Sequence, residues 1–380
     1  MKAFSTLIAF SLFACLSASA APVKKSNAAP VKKSNNGCLP YFLDCRDVIG
    51  EIYGDLLFLQ PNGSSLYYAA QATPLDQSIN GGVALQAVSP DWKIFEISPN
   101  YTPAFKVGTA VLFSPSNRKL DLSWERVYSS KSASKTLSTT ADGGTLMIGP
   151  LFDIGPNSAA YTKARGKVHF EFDAVDFVFG QSFCAFDRWY PTLFAGAGFT
   201  RIKQSLKSTY SNVDKTSVRS VKNYSIFTGA GPLFGLDFDY RIVSDFFFSG
   251  TSSLGLMIGE SQSREIYQSS APFLVVNNVP EPNTQKTTVP NRTQLIPSFE
   301  EKLGFSYIGV FKCCKVTFSA GYQAEIYLNA VQTINMTAPQ VIPTLATDAT
   351  PDSGVYAVGF ERTLSNFILT GPYVSLNIDF

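Results

Sequence analysis

The chain has 380 residues, a formal net charge of +2, and only 16% charged against 45% hydrophobic and 13% aromatic residues. Soluble domains usually carry nearer a quarter charged, and no dense Lys/Arg patch with interleaved aromatics points to nucleic acid. After the first twenty residues no run of eighteen apolar residues occurs, which excludes a helical membrane protein.

Residues 1–20 read as a cleaved export signal. Met1-Lys2 is followed by an apolar run from Ala3 to Leu16 and by Ala18-Ser19-Ala20, an A-x-A site. A lipoprotein site at Leu12-Phe13-Ala14-Cys15 is the rival reading, and Phe13 fits it poorly. A tandem octapeptide, A-A-P-V-K-K-S-N, follows over Ala20–Asn27 and Ala28–Asn35, its first residue shared with the signal and the rest lying in residues 21–49. Its Pro, Lys, Ser and Asn cannot bury enough apolar surface to offset ordering entropy, so a disordered basic arm is expected.

From residue 50 to 380 the pattern is strand after strand. Ten are placed at roughly 50–60, 104–113, 119–128, 167–179, 191–203, 225–240, 246–259, 302–311, 315–327 and 368–380. Several of them alternate apolar and polar residues, as a wall with one oily face requires. Leu120, Leu122 and Trp124 alternate with Asp121, Ser123 and Glu125; Val168, Phe170 and Phe172 alternate with His169, Glu171 and Asp173. In the last strand Pro372, Val374, Leu376, Ile378 and Phe380 alternate with Tyr373, Ser375, Asn377 and Asp379. The intervening segments are alternately short and long. That asymmetry predicts an all-β, antiparallel transmembrane barrel of 10–16 strands with short periplasmic turns, long external loops and periplasmic termini. Apolar pieces at Pro272–Val276 and Val355–Phe360 leave room for extra hairpins.

On this reading the outward apolar faces meet outer-membrane lipid, and the polar stripes line a lumen. The pore-lining candidates are Asp121, Glu125, Glu171, Asp237, Asp239, Lys315, Gln323 and Glu325. The terminal Phe380 offers the barrel assembly machinery its C-terminal strand. With Cys15 lost, five cysteines remain: Cys38, Cys45, Cys184, Cys313 and Cys314, all in the N-terminal segment or short turns, hence periplasmic. An odd number leaves a thiol for a partner. Internal staples and disulfide links to envelope proteins or to another copy both stay open.

Catalysis is not expected. His169 is the single histidine, so a hydrolase triad has one possible base, and a polar lumen stripe is its expected place. No paired C-x-x-C spacing supports a metal site, and no cofactor is called for; Gly229–Gly235 lacks the spacing and context of a dinucleotide loop.

Four segments resemble the MOMP-like pore-forming outer-membrane proteins of Legionella and chlamydia-related bacteria. They are G-E-I-Y-G-D-L-L-F-L-Q-P (Gly50–Pro61) with S-L-Y-Y-A; P-A-F-K-V-G (Pro103–Gly108) with L-D-L-S-W-E-R; F-D-A-V-D-F-V-F-G (Phe172–Gly180) with P-T-L-F-A-G-A-G-F; and S-A-G-Y-Q-A-E-I-Y (Ser319–Tyr327) with the terminal strand. The resemblance implies a porin at the cell surface of a Gram-negative bacterium, with disulfide-linked envelopes among its relatives. The expected function is passive diffusion of small hydrophilic solutes and ions. The alternative is a non-conducting structural or adhesive barrel, which ten filled strands would favour and sixteen would disfavour.

Overall fold

The computed structural model describes residues 48–63, 66–72, 92–113, 116–137, 146–148, 161–183, 188–211, 218–270, 275–276, 279–280, 284–311, 314–342 and 355–380. The signal, the basic arm, Cys38, Cys45, Cys184 and Cys313 lie outside the described residues. Cys314 is among them and is a free thiol.

Among the described residues every element of the fold is a strand. In chain order they are β1 (Val48–Gly63), β2 (Tyr67–Ala72), β3 (Trp92–Glu96), β4 (Thr102–Phe113), β5 (Arg118–Thr136), β6 (Leu146–Ile148), β7 (Lys163–Ser182) and β8 (Trp189–Ser211). There follow β9 (Val218–Val243), β10 (Phe246–Ser269), β11 (Val275–Val276), β12 (Val279–Pro280), β13 (Thr284–Phe311), β14 (Cys314–Ile342) and β15 (Val355–Asp379). Ten close into an antiparallel barrel in the order β1-β15-β14-β13-β10-β9-β8-β7-β5-β4, with β4 pairing β1. These are the ten expected strands. The apolar piece at Val355–Phe360 extends β15, and part of Pro272–Val276 forms the two-residue β11, which pairs with β12 outside the barrel.

The seam closes at the chain ends. Gly50 N donates to Phe380 O at 3.0 Å and Phe380 N donates to Gly50 O at 2.9 Å, so the last residue locks against the first strand. This end also carries the short connections between β4 and β5, β9 and β10, and β13 and β14.

The outer wall wears an apolar band. Leu56, Leu122, Phe177, Phe179, Leu193, Phe234, Leu254, Phe305, Phe318, Tyr322 and Leu376 all project outward and are exposed. Period 2 then turns their neighbours inward. Several strands, at 20–29 residues, far exceed the nine to eleven that span a bilayer. They therefore continue beyond the lipid on the side away from the termini.

In that upper part the polarity of the wall inverts. Lys163, Arg165, Lys167, His169, Glu171 and Asp173 of β7 point outward, while Val168, Phe170 and Phe172 are buried inside. The expectation that Glu171 and His169 line the lumen is thereby corrected. Phe177 and Phe179 fix the strand's odd residues on the outside, and above the band that outside is water rather than lipid, so the oily face turns in. Glu171 accepts from Lys203 Nζ at 2.9 Å, and Asp173 lies 3.7 Å from Arg126 on the same outer surface. His169 Nε2 stands 3.2 Å from Glu171, with the Tyr128 ring edge-on to the imidazole.

Candidate functional site

The lumen is the candidate site, and it has two storeys. The lower one, at lipid height, is ionic. Outward Ile52, Gly54 and Leu56 leave Glu51, Tyr53 and Asp55 inward; Phe105 and Val107 do the same for Lys106. Of the sequence-based candidates, Asp121, Glu125, Asp237, Asp239, Lys315, Gln323 and Glu325 occupy inward positions.

Their partners come from across the barrel. Lys106 on β4 stands 3.3 Å from Glu300 on β13, with β1, β15 and β14 between those strands around the wall, and 3.8 Å from Glu125 on β5. Lys302 on β13 pairs with Asp55 on β1, and Lys119 on β5 with Glu51 at 3.1 Å and Asp121 at 3.2 Å. Tyr53 Oη donates to Asp121 at 2.8 Å, packed where Gly108 has no side chain; a Cβ there would fall 2.3 Å from the ring. Gln323 Nε2 donates to Glu325, and Tyr327 Oη reaches the same carboxylate at 3.4 Å. Near the seam Lys315 is 2.9 Å from Asp379, and Asp237 accepts from Thr251 at 2.7 Å.

Glu51, Asp55, Lys106, Lys119, Glu300, Lys302 and Asp176, which is inward because Phe177 and Phe179 hold the odd face of β7 outside, are not among the sequence-based candidates. A signal is present for Glu51, Asp55 and Lys106, whose neighbours along the strand are apolar or glycine; Lys119 lies between Arg118 and Leu120, and no local pattern tells which strands face each other.

The upper storey is apolar. Phe172 of β7 meets Tyr327 of β14, ring centroids 5.5 Å apart, although four strands separate β7 from β14 in either direction round the wall. Phe367 stacks on Phe172 at 5.8 Å. Phe170, Phe227, Leu57, Leu59, Ile202 and Met257 complete the cluster, each at most 2% exposed.

A small sheet outside the barrel ladder and an irregular stretch of β14 add further inward groups. Between β1 and β4, the strands β2 and β3 form a small sheet with β6. Leu66, Tyr68 and Ile97 from this region are buried in the same cluster, and Tyr210 Oη of β8 donates to Tyr68 O at 2.6 Å. The irregular stretch follows in β14. At Asn329, whose φ of 58° lies in the left-handed region, the ladder to β15 shifts register. Val331 and Gln332 then turn in: Gln332 N donates to Ser225 Oγ of β9 at 2.9 Å, and Ser263 Oγ of β10 donates to Gln332 O at 3.0 Å. Asn tolerates that backbone better than other side-chain-bearing residues.

Ten strands thus surround an interior bridged by ion pairs below and by aromatic rings above. Small barrels are expected to fill their interiors with side chains, and this one does so across its full width.

Against known proteins, the sequence family described as Legionella pneumophila major outer membrane protein precursor matches residues 49–380. No curated protein matches. Among solved structures, the outer membrane protease OmpT of Escherichia coli aligns at 14% identity over 88% of this chain and 97% of its own, TM-score 0.35. The P. putida toluene transporter TodX aligns at 6% over 88% and 89%, TM-score 0.21, and the Acinetobacter baumannii channel DcaP at 10% over 88% and 96%, TM-score 0.15.

Proposed function

The chain belongs to the family of the Legionella pneumophila major outer membrane protein, and on that premise we propose that its barrel is a narrow porin-type channel, closed at rest, that passes small cations. Its place is the bacterial outer membrane. The observation that carries the proposal is the sign of the lower lumen. Glu51, Asp55, Asp121, Glu125, Asp176, Asp237, Asp239, Glu300 and Glu325 outnumber the inward Lys106, Lys119, Lys302 and Lys315. When the bore opens to water, a wall of carboxylates raises the local concentration of cations and repels anions.

The bore sets the size limit. Lys106–Glu300 and Lys302–Asp55 cross the path, and Phe172, Tyr327 and Phe367 close it above. A sugar-sized solute would have to break the bridges and displace the rings. Water and a small cation need a rotamer change at the bridges and a loosening of the aromatic cap together with the inward residues Leu66, Tyr68 and Ile97 packed beside it.

Reversal potentials across a salt gradient and liposome swelling test the two halves together. The expected result is cation preference with no swelling in disaccharide. Charge-neutral Glu125→Gln with Glu325→Gln should weaken the preference. Anion preference, or rapid swelling, would overturn the proposal. The second reading is a non-conducting structural wall, favoured by the Phe172–Tyr327 contact; complete absence of current under all voltages would establish it instead.

A further inference from the structure

The outer wall above the lipid band carries a cation row with no counterpart on the lumen side. Lys167 of β7 lies directly opposite Lys207 of β8, and Lys207 directly opposite Lys222 of β9. Across Ile266 of β10 the same row reaches Lys286 of β13. All point outward, and Lys167 and Lys207 are exposed. Neighbouring strands lie only about 4.8 Å apart, and like charges directly opposite one another destabilise a sheet.

The rows beneath are built differently. There Glu171 neutralises Lys203 and Asp173 faces Arg126. Among the described residues Lys167, Lys207 and Lys222 have no carboxylate partner, and Lys222 Nζ instead sits 4.3 Å over the Tyr224 ring. Arg165 and Lys163 extend the positive surface further along β7.

Position decides the partner. Lys207 is eight residues beyond Phe199, whose exposed ring ends the apolar band on β8. At about 3.3 Å per residue and a tilt near 40°, the row stands roughly 20 Å above the hydrocarbon. Phospholipid headgroups extend only about 5–8 Å beyond the hydrocarbon on each side. Sugar phosphates of an outer-leaflet glycolipid reach that height while its acyl chains lie against the wall below. The wall there is shallow: Ala195 and Ala197 of β8 lie between Phe177 and Phe179 of β7 on one side and Pro232 and Phe234 of β9 on the other.

We propose that this face of β7, β8 and β9 binds the phosphorylated oligosaccharide of an outer-leaflet glycolipid, with Lys167, Lys207 and Lys222 as its anion contacts. The inference uses the outer wall alone and stands apart from conduction.

The test is a binding titration of the full chain, folded in detergent, with purified phosphorylated glycolipid, the same glycolipid after dephosphorylation, and heparin. Heat-modifiable gel mobility confirms folding of each variant. Lys167→Gln, Lys207→Gln and Lys222→Gln combined should weaken binding of the phosphorylated glycolipid roughly tenfold, from the loss of three outward charge contacts. Dephosphorylation should weaken wild-type binding similarly, and Arg118→Gln, at the opposite end of the barrel, should leave it unchanged. Undiminished binding by the folded triple variant would overturn the proposal. Heparin binding as tightly as the glycolipid would also overturn it, assigning the row to soluble polyanions.

Discussion

Single residues show how the two media around the wall set different rules. Glu265, on β10 seven residues beyond Ile258 and so above the lipid band, is 2% exposed, and neither carboxylate oxygen has a hydrogen-bond partner among the described residues. Burial pushes its carboxyl up to about 7 from the usual 4.5. The folded chain therefore holds this proton more tightly than the unfolded chain. Stability is fully present below pH 4.5 and falls as the pH rises through about 7. Glu265→Gln should remove that dependence and stabilise the barrel at pH 8 by no more than about 3 kcal/mol. Unfolding titrations of both proteins at pH 4.5 and pH 8 check the sign; equal pH dependence would refute it. Gly108 makes a second case. Gly108→Ala should push the Tyr53 ring off Asp121 and cost about 1–3 kcal/mol, measured by denaturant unfolding.

At the scale of the element, alternation predicts the consequences of charge. Val374 of β15 faces lipid and Ser375 faces the lumen. Val374→Lys should destabilise by about 2–4 kcal/mol if it lies near the bilayer midplane, while Ser375→Lys should fold with far less loss. A folding titration into lipid vesicles separates them. The same alternation makes the ten strands legible in the amino-acid sequence, because period 2 and the short turns are local signals. It misassigns Glu171 and His169 for an equally local reason. Strand β7 carries its polar residues at odd positions from Lys163 to Asp173; the phase slips at Ala174-Val175, after which Asp176 is even and Phe177 and Phe179 are odd, and reading the upper run by itself misses that slip. The register that ties Phe177 to Ala197 and Glu171 to Lys203, with the burial of Phe170 and Phe172, places those two rings inside. The bulge at Asn329 and the inward turn of Leu66, Tyr68 and Ile97 are likewise illegible, since their partners lie on distant strands.

The whole molecule joins a polar lower lumen to an apolar cap, and the proposed conduction depends on that cap opening. The strand count favours a narrow bore, and the ion pairs across it hold opposite walls together. Removing one member of a bridge such as Lys302–Asp55 would leave a buried charge unpaired, which destabilises far more than replacing both. Widening is best attempted at the rings. Phe172→Ala with Tyr327→Ala removes the contact across the diameter and leaves every ion pair in place. Single-channel recording in planar bilayers tests the central claim most directly. Wild type should stay closed, with only brief, small, cation-preferring openings, and the double variant should conduct steadily. A wild-type channel that is open at rest, with conductance unchanged by the double substitution, would contradict the account.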